Sequence, residues 1–311
     1  MAPPRVASAP PGRADEVGEP VPVRAPGLRV VILGASGHVG GALAACLARE
    51  GVEVIGHSSK TLDLTQPEAL GALDPVVGRE TILVFASALT PDRGQNLVTF
   101  TANLTMAVNV ARYVEAHPVG RCVYLGSDAV YGFDLNPVTE TTPVAPGGYY
   151  ALAKYTGEKT LECVATAKGL PLLSLRVTGV YGPGDPHGAY GPNAFARSLA
   201  RDRTVRLFGE GEEERDHIYV DDVARLASAL LRSGATGLFN LASGESRSFA
   251  EVVQTIRGIV PYEFTVASAP RKGPITHRRF DTARLHRAVP GFGFTPFKDG
   301  LRATLAAFGA L

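Results

Sequence analysis

Residues 30–43, VVILGASGHVGGAL, decide the fold of the first half of the chain. A short β-branched run leads into Gly34, Gly37 and Gly40, and apolar residues at helical spacing follow the glycines. Glycines between a strand and a helix permit positive φ angles and a close approach of the backbone to a pyrophosphate. The free N–H groups at the helix N-terminus favour the same anion. The stretch therefore predicts a dinucleotide-binding turn, although its G-x-x-G-x-x-G spacing leaves a ligand-free glycine turn as the alternative.

Strands and helices alternate through the first 180 residues. Four more strand-like runs are VEVIGHS, TILVFASA, RCVYLGS and LPLLSLRVTGVYG. Helical segments are predicted over residues 38–51, 97–116 and 149–167. This alternation predicts an α/β fold of the Rossmann type, in which helices cover both faces of a doubly wound parallel sheet.

The alternation of strands and helices ends at the Gly- and Pro-rich loop YGPGDPHGAYGPN. Beyond it we predict one strand, a polar turn and one helix between residues 204 and 231, a late strand at GLFNLAS and a short helix near 248–259. This second half is expected to form a smaller C-terminal substrate-binding domain.

Three parts of the chain follow from these patterns. Residues 1–27 hold seven of the 23 prolines and few large apolar side chains, so we expect a disordered tail. Residues 28–178 are predicted to form the NAD(P)-binding domain, with residues 217–243 returning to it. Residues 179–216 and 244–311 are predicted to form the substrate-binding domain.

Composition narrows the class of partner. Lys+Arg number 31 and Asp+Glu 30, so the net charge is +1 and gives no reason to expect nucleic acid or a membrane surface as partner. Cys46, Cys122 and Cys163 stand in apolar runs without metal-ligand spacing. We therefore expect buried thiols, no metal site and a reducing, cytoplasmic location.

The end of the second strand bears on the choice of cofactor. A dinucleotide fold that prefers NAD places an acid there for the ribose 2′-hydroxyl. Glu53 stands at the other end of the strand, and the stretch after the strand offers His57, Ser58, Ser59 and Lys60. Hydroxyls and a cation suit a 2′-phosphate, which favours NADP(H), with NAD(H) possible. The alternative is that these residues are only a solvated loop.

Tyr150 and Lys154 are four residues apart on a predicted helix and so share a face. A nearby ammonium is expected to lower the pKa of the phenol and make it a usable proton donor and acceptor. Tyr149 has Ala153 at that spacing and lacks this partner. Ser127 ends another strand, where a hydroxyl is placed to bind the same substrate oxygen. The alternatives are a packed tyrosine beside an exposed lysine, and a serine that caps a turn.

The chain resembles a known family in five motifs that occur in the family's order: the glycine turn, LGSDAVYG, YYALAK, LRVTGVYGPGD and ERDHIYVDDVA. The family is that of the extended short-chain dehydrogenases/reductases, the NAD(P)-dependent epimerase/dehydratase enzymes that act largely on nucleotide sugars. The likeness covers about residues 29–308. It implies a catalytic set of Ser127, Tyr150 and Lys154, in which Tyr150 exchanges the proton, Lys154 holds the nicotinamide ribose and Ser127 orients the substrate oxygen.

The resemblance also implies binding residues. Asp63 is similar to the residue that meets the adenine. The other implied cofactor contacts are Ser36, His38, Val39, Leu64, Ala86, Ser87, Asn103, Val177 and Val180. A nucleotide-diphosphate sugar is the implied substrate, with Asp128, Asn193, Arg215 and Arg271 as its contacts. For Arg215 the alternative is a salt bridge with Asp216, Asp221 or Asp222. Relatives often form homodimers through two long helices, here those near 97–116 and 149–167.

The chain departs from related 4,6-dehydratases, which carry Thr-Asp-Glu where this sequence has Ser127-Asp128-Ala129. The missing glutamate argues against dehydration. We expect hydride transfer at C4 of a nucleotide sugar, with ketoreduction favoured and 4-epimerisation on retained NAD close behind. A non-catalytic dinucleotide sensor and a reductase of small carbonyl compounds are the alternatives.

Overall fold

The computed structural model describes residues 28–133, 135–187, 191–271 and 273–311. The predicted tail, residues 1–27, lies outside the described residues.

The first half of the chain follows the predicted alternation. Its elements are β1 (Arg29–Leu33), α1 (His38–Arg49), β2 (Glu53–His57), β3 (Thr81–Phe85), α2 (Leu97–Ala116), β4 (Arg121–Ser127), α3 (Tyr149–Lys168) and β5 (Leu172–Val177). Short 3-10 turns lie at Pro67–Leu73, Pro91–Arg93 and Asp128–Val130. The helices predicted over 97–116 and 149–167 are confirmed, and α1 ends just before Gly51, whose φ of +77° suits glycine.

The second half contains more elements than the sequence predicts. They are β6 (Gly179–Tyr181), α4 (Pro192–Asp202), β7 (Thr204–Phe208), β8 (Glu214–Tyr219), α5 (Val220–Arg232), β9 (Gly237–Leu241), β10 (Ser246–Ser248), α6 (Phe249–Arg257), β11 (Thr265–Ala269), α7 (Ala283–Ala288) and α8 (Phe297–Ala307). The late strand β9 and helix α6 are confirmed. Strand β8, the short strands β10 and β11, and helices α4, α7 and α8 were not predicted. The three-residue β10 and the six-residue α7 carry too few periods of a pattern.

Six parallel strands form the main sheet in the order β2-β1-β3-β4-β5-β9. In register, Leu33 pairs with both His57 and Phe85, so these strands end at one carboxyl edge. Two smaller sheets, β10-β8-β6 and β11-β7, belong to the second half. The architecture is the predicted α/β arrangement with a parallel Rossmann-type sheet.

Apolar layers cover both faces of the main sheet. One contains Leu43 and Leu47 of α1 with Leu226 and Leu230 of α5, packed on alternate strand residues. The other contains Met106 and Val110 of α2 with Leu161 of α3, packed on the opposite strand face. Burial on two sides explains why the strands are nearly continuous apolar runs. Among the described residues, no helix is long and apolar enough to cross a membrane.

The expectation of three buried thiols is wrong for one of them. Cys46 and Cys122 are buried, whereas Cys163 is exposed on α3. The buried residues of α3 include Leu161 and Ala165, and Cys163 lies between them on the opposite face. The apolar residues next to Cys163 in the sequence did not show that its side chain lies on the exposed face of α3.

Candidate active site

The glycine turn joins β1 to α1 at the carboxyl edge of the main sheet. Gly34 has a φ of +100°, and a Cβ atom there would lie 2.8 Å from the backbone nitrogen of Ser87. A Cβ atom on Gly40 would lie 2.2 Å from the carbonyl oxygen of Gly34. Glycine alone therefore permits this approach, and α1 begins at His38 with its free backbone N–H groups at the same edge.

A cavity of about 820 Å³ runs from this turn along the carboxyl edge to α3. Most of the residues predicted to contact a dinucleotide line it: Gly34, Ser36, Gly37, His38, Val39, Gly40, Ser59, Asp63, Leu64, Ala86, Ser87, Tyr150, Lys154, Val177 and Val180. Its size is that of a cofactor site. A helix N-terminus beside glycines at one end and a tyrosine–lysine pair at the other fit a nicotinamide dinucleotide.

Four predicted cofactor residues are not part of the described lining: His57, Ser58, Lys60 and Asn103. The backbone carbonyl of His57 accepts two hydrogen bonds from the glycine turn, and its ring nitrogens are buried without a described hydrogen-bond partner. Ser58 accepts a 3.3 Å hydrogen bond from the backbone of Lys60, which closes a local turn. Asn103 holds the backbone of Leu89 through bonds of 2.7 and 2.9 Å. His57 and Asn103 therefore hold backbone next to the cavity, whereas Lys60 is exposed. Of the four candidates for a 2′-phosphate, only Ser59 is part of the described lining.

Ser127, Tyr150 and Lys154 line the same end of this cavity. Ser127 is the last residue of β4, and its Oγ accepts a 3.2 Å hydrogen bond from the backbone of Ala129. It therefore also caps the 3-10 turn that follows. Tyr149 instead packs its ring against Phe100, with 5.7 Å between the ring centroids. The two adjacent tyrosines thus have different surroundings, as helical spacing predicts.

The prediction that Lys154 lowers the pKa of Tyr150 is wrong for this arrangement. Burial raises the pKa of Tyr150 to about 12, and the negative charge of Asp128 adds to the rise, while a hydrogen bond with Ser127 opposes it. The Lys154 ammonium donates a 2.6 Å hydrogen bond to the carbonyl of Leu125. Burial lowers the pKa of Lys154 to about 8. Sequence spacing predicted the shared face and overlooked desolvation, which dominates both groups.

A buried ion pair lies one helical turn beyond Lys154. Glu158 accepts hydrogen bonds of 3.0 and 2.6 Å from the guanidinium of Arg176 on β5. The guanidinium also lies over the ring of Tyr131 at 4.8 Å. The charge of Glu158 raises the pKa of Lys154 and so partly offsets burial. The pair fixes α3 against the sheet directly behind the proposed catalytic groups.

A second cavity, of about 420 Å³, adjoins the first, and Val180 lines both. Three of the four predicted substrate contacts line it, namely Asp128, Asn193 and Arg215. The phenyl rings of Phe208 and Phe249 form apolar parts of its wall. The cavity therefore lies on the second-half side of the junction and has both a cation and aromatic surface.

Arg215 is held by backbone rather than by carboxylates. Its Nη1 donates to the carbonyls of Glu214 and Thr276 at 2.8 and 2.7 Å. Asp216, one of the alternative partners, accepts hydrogen bonds from the backbone of Ser243 and Gly244 instead. Arg215 therefore keeps a positive charge for the cavity.

Two more of the predicted substrate contacts, Asn193 and Arg271, are engaged by carboxylates. Asn193 donates a 2.7 Å hydrogen bond to Asp185 and accepts one from the backbone of Gly182. Arg271 forms ion pairs with Glu212 and Glu213 and does not line the described cavity. The expectation that Arg271 faces the substrate cavity is therefore wrong for this arrangement, because two neighbouring carboxylates already bind it.

A family model for the NAD dependent epimerase/dehydratase family matches residues 30–242. The chain belongs to this family. The matched range contains the glycine turn, the serine after β4 and the tyrosine–lysine pair described above. The family is one of NAD(P)-dependent enzymes that act on nucleotide sugars.

Relatives of this epimerase/dehydratase family member match nearly its whole length. A UDP-glucose 4-epimerase of Mycolicibacterium smegmatis is 28% identical over 313 residues, which cover 90% of this chain and 98% of that one. The crystal structure of a Thermus thermophilus UDP-glucose 4-epimerase in complex with NAD is 26% identical, with a TM-score of 0.79 over 91% of this chain and 100% of that one. RMD from Pseudomonas aeruginosa complexed with NADPH shares the fold, at 24% identity, a TM-score of 0.79 and coverage of 91% and 99%.

Sequence reasoning missed three residues that support the site in this family member. Glu158 follows Lys154 at helical spacing, so its presence on that face could have been found. Arg176 and Arg278 carried no such signal, because each meets its partners only after the chain folds. Arg278 is buried and lines the second cavity beside Asp128.

Proposed function

We propose that this chain is an NAD(P)-dependent nucleotide-sugar 4-epimerase that moves a hydride and a proton at C4 of a hexose. One observation carries the proposal: Ser127, Tyr150 and Lys154 line a dinucleotide-sized cavity that adjoins a second cavity lined by Arg215 and Arg278. The similarity to UDP-glucose 4-epimerases over nearly the whole chain supports C4 as the reacting carbon and a UDP-hexose as the substrate.

The nicotinamide dinucleotide, when bound, supplies the hydride acceptor and donor. Tyr150 in its phenolate form takes the proton from the C4 hydroxyl during oxidation and returns it to the oxygen during reduction. Ser127 donates a hydrogen bond to the same oxygen and keeps it beside the Tyr150 hydroxyl. Lys154 is proposed to hold the nicotinamide ribose.

Arg215 is proposed to bind the diphosphate of the substrate. A guanidinium presents a fork of donors that matches phosphate oxygens, and the backbone bonds to Thr276 fix its position. Asn193 is proposed to hold the loop at Gly182 and to present its remaining polar surface to the nucleotide. Asp128 is proposed to contact the sugar itself, next to Tyr150.

The residues after β2 are proposed to determine the preference for NAD or NADP. Among the lining residues that follow β2, Ser59 to Leu64, the acid is Asp63, which is exposed and accepts hydrogen bonds from Thr65. Glu53 is bound to Arg29 at the opposite end of β2. We propose that NADP(H) is accepted through Ser59, and that replacement of Ser59 by aspartate shifts the preference toward NAD(H).

A homodimer through α2 and α3 is proposed as well. Four apolar side chains of these helices are exposed by 40% or more: Leu97, Val98, Tyr149 and Leu152. An exposed apolar patch of this kind is typical of an interface. Replacement of Leu152 by glutamate should convert a dimer into a monomer in light-scattering measurements, and a wild type that is monomeric at high concentration would contradict the proposal.

The experiment that tests the function is interconversion of UDP-galactose and UDP-glucose by the purified chain. The proposal predicts that the two sugars reach equilibrium with only catalytic amounts of added or retained cofactor. Mass analysis of the cofactor retained after purification is measured on the same sample. Failure to interconvert UDP-, dTDP- or GDP-linked hexoses with either cofactor would falsify the proposal.

Net reduction of a 4-keto sugar nucleotide is the second candidate. It is favoured by the absence of an acid at the carboxyl end of β2 within the described residues, since a reductase draws on NADPH. It predicts stoichiometric oxidation of NADPH with a 4-keto substrate and no interconversion of the two hexoses. Retained NAD would count against it.

A further inference from the structure

A segment of the second half, residues 276–281, contributes Arg278 to the lining of the second cavity. Its first residue, Thr276, accepts the hydrogen bonds of Arg215 described above, of 2.7 Å at its carbonyl and 3.1 Å at its hydroxyl. Its last residue, Asp281, donates from its backbone to the carbonyl of Val138. The segment therefore connects the proposed diphosphate contact to the loop that follows β4.

Arg278, in the middle of this segment, binds the loop directly after Ser127. Its Nη1 donates to the carbonyl of Asp128 and lies 3.4 Å from the carboxylate of the same residue. Its Nη2 donates to the carbonyls of Tyr131 and Gly132 at 2.9 and 3.1 Å. One guanidinium thus binds three backbone carbonyls and one carboxylate across a loop of five residues.

The position of these bonds matters for the reaction proposed above. Asp128 is the residue after Ser127, lines the second cavity and raises the pKa of Tyr150 through its charge. Without Arg278, the carbonyls of Tyr131 and Gly132 would lose this donor, and that of Asp128 would keep only its bond from the backbone of Tyr131. The side chain of Arg278 is 4% exposed, so water offers little replacement for these bonds.

We propose that Arg278 is a positioning residue for catalysis, which holds the loop 128–132 so that Ser127 and Asp128 meet the substrate oxygen beside Tyr150. This inference rests on the proposed function. Arginine is required because only its planar fork can reach several carbonyls at once, whereas a lysine ammonium is a single point of donation. Arg278 itself does not touch the reacting atoms.

The alternative is that Arg278 only stabilises the fold, and the two roles predict different kinetics. A positioning role lowers kcat and leaves the KM for the nucleotide sugar and the Kd for the cofactor nearly unchanged. A positioning role also acts through Tyr150, so the decrease in kcat should disappear in a chain that already lacks the Tyr150 hydroxyl. The reason is that the effects of substitutions in residues that act as a unit are not additive. A merely structural role lowers activity by the same factor in both backgrounds.

The test uses Arg278→Lys and the uncharged Arg278→Gln, each alone and combined with Tyr150→Phe. Arg279→Lys is the matched control, since its side chain is 54% exposed and pairs with Glu214 at the surface. We expect kcat to fall at least about tenfold in both Arg278 variants, with KM and cofactor Kd within about threefold, and no further fall beside Tyr150→Phe. The control should retain wild-type kinetics.

Hydrogen exchange gives a readout that does not depend on turnover. Amides of residues 129–132 should exchange faster in Arg278→Gln, while those of α5 stay protected. Wild-type kcat in the Arg278 variants, an equal loss in both backgrounds, or failure of both variants to fold would overturn the inference and leave the proposed function intact. A wild type that turns over no nucleotide sugar refutes the proposed function and this inference with it.

Discussion

The buried pair of Glu158 and Arg176 allows a quantitative test of how the catalytic helix is held. Their side chains are only 4% and 3% exposed and share hydrogen bonds of 3.0 and 2.6 Å. Removal of one partner leaves an uncompensated buried charge, which costs about 3–5 kcal/mol. We therefore predict that Glu158→Gln and Arg176→Met each lower the free energy of unfolding by about that amount.

The double variant Glu158→Gln/Arg176→Met separates this cause from simple loss of packing. Both charges are then absent, so the double variant should cost clearly less than the sum of the two single changes, by about 2 kcal/mol. Glu162→Gln is the matched control on the same helix, because the Lys159–Glu162 pair is about half exposed and should contribute no more than about 0.5 kcal/mol. Urea unfolding monitored by circular dichroism measures all four variants.

Two results would refute this reasoning: single variants that cost less than about 1 kcal/mol, or a double variant that equals the sum. Glu158→Gln has a second expected effect, since Glu158 raises the pKa of Lys154. Its removal should lower that pKa further. The pH above which Lys154 loses its proton should therefore decrease in the variant.

Three further predictions concern other parts of the chain. Gly40→Ala should abolish cofactor binding or folding, because its Cβ atom would lie 2.2 Å from the Gly34 carbonyl oxygen. Gly71→Ala is the control, since a Cβ atom there meets nothing within 4 Å. Calorimetric titration with NAD(H) and NADP(H) compares cofactor binding by the two variants. Burial lowers the pKa of Lys154 from 10.5 to about 8, so between these values the folded state binds fewer protons than the unfolded state. The stability of the wild type relative to Lys154→Met should then rise with pH over that window by about 3 kcal/mol at most, and a difference that stays flat or falls in urea unfolding would contradict this. Of the three cysteines, only the exposed Cys163 should react quickly with iodoacetamide at neutral pH. Cys46 and Cys122 are buried, and burial raises the pKa of Cys46 and raises that of Cys122 to about 12. Mass analysis that finds Cys122 modified in the folded chain would contradict this prediction.

The sequence predicted the parts of the fold in which strands and helices alternate regularly. The parallel sheet followed from apolar runs that are long enough to be buried on both faces, and α2 began and ended where the prediction put it. Strand β8, ERDHIY, was not predicted because four of its six residues are charged or polar and resemble a solvated turn. Its burial depends on pairing with β6 and β10, which no local pattern shows.

In the candidate site, too, local motifs were predicted from the sequence and long-range contacts were not. The glycine turn, Ser127, Tyr150 and Lys154 belong to local motifs, and they line one cavity as expected. Contacts of long sequence separation were not predictable, as with Arg278 on the loop at Asp128, 150 residues away. The charge state of Tyr150 was predicted from a neighbour alone, whereas its pKa depends mainly on burial.

Tyr150 is proposed to move the proton while a hydride moves at C4 of a nucleotide sugar. Turnover of UDP-galactose by wild type, Tyr150→Phe and Tyr149→Phe tests it most directly, because the second tyrosine is adjacent and 41% exposed, with its ring against Phe100. We predict that Tyr150→Phe lowers kcat by about 10²–10⁴-fold with unchanged cofactor affinity, and that Tyr149→Phe stays near wild type. Equal turnover in Tyr150→Phe and wild type would show that Tyr150 does not move this proton.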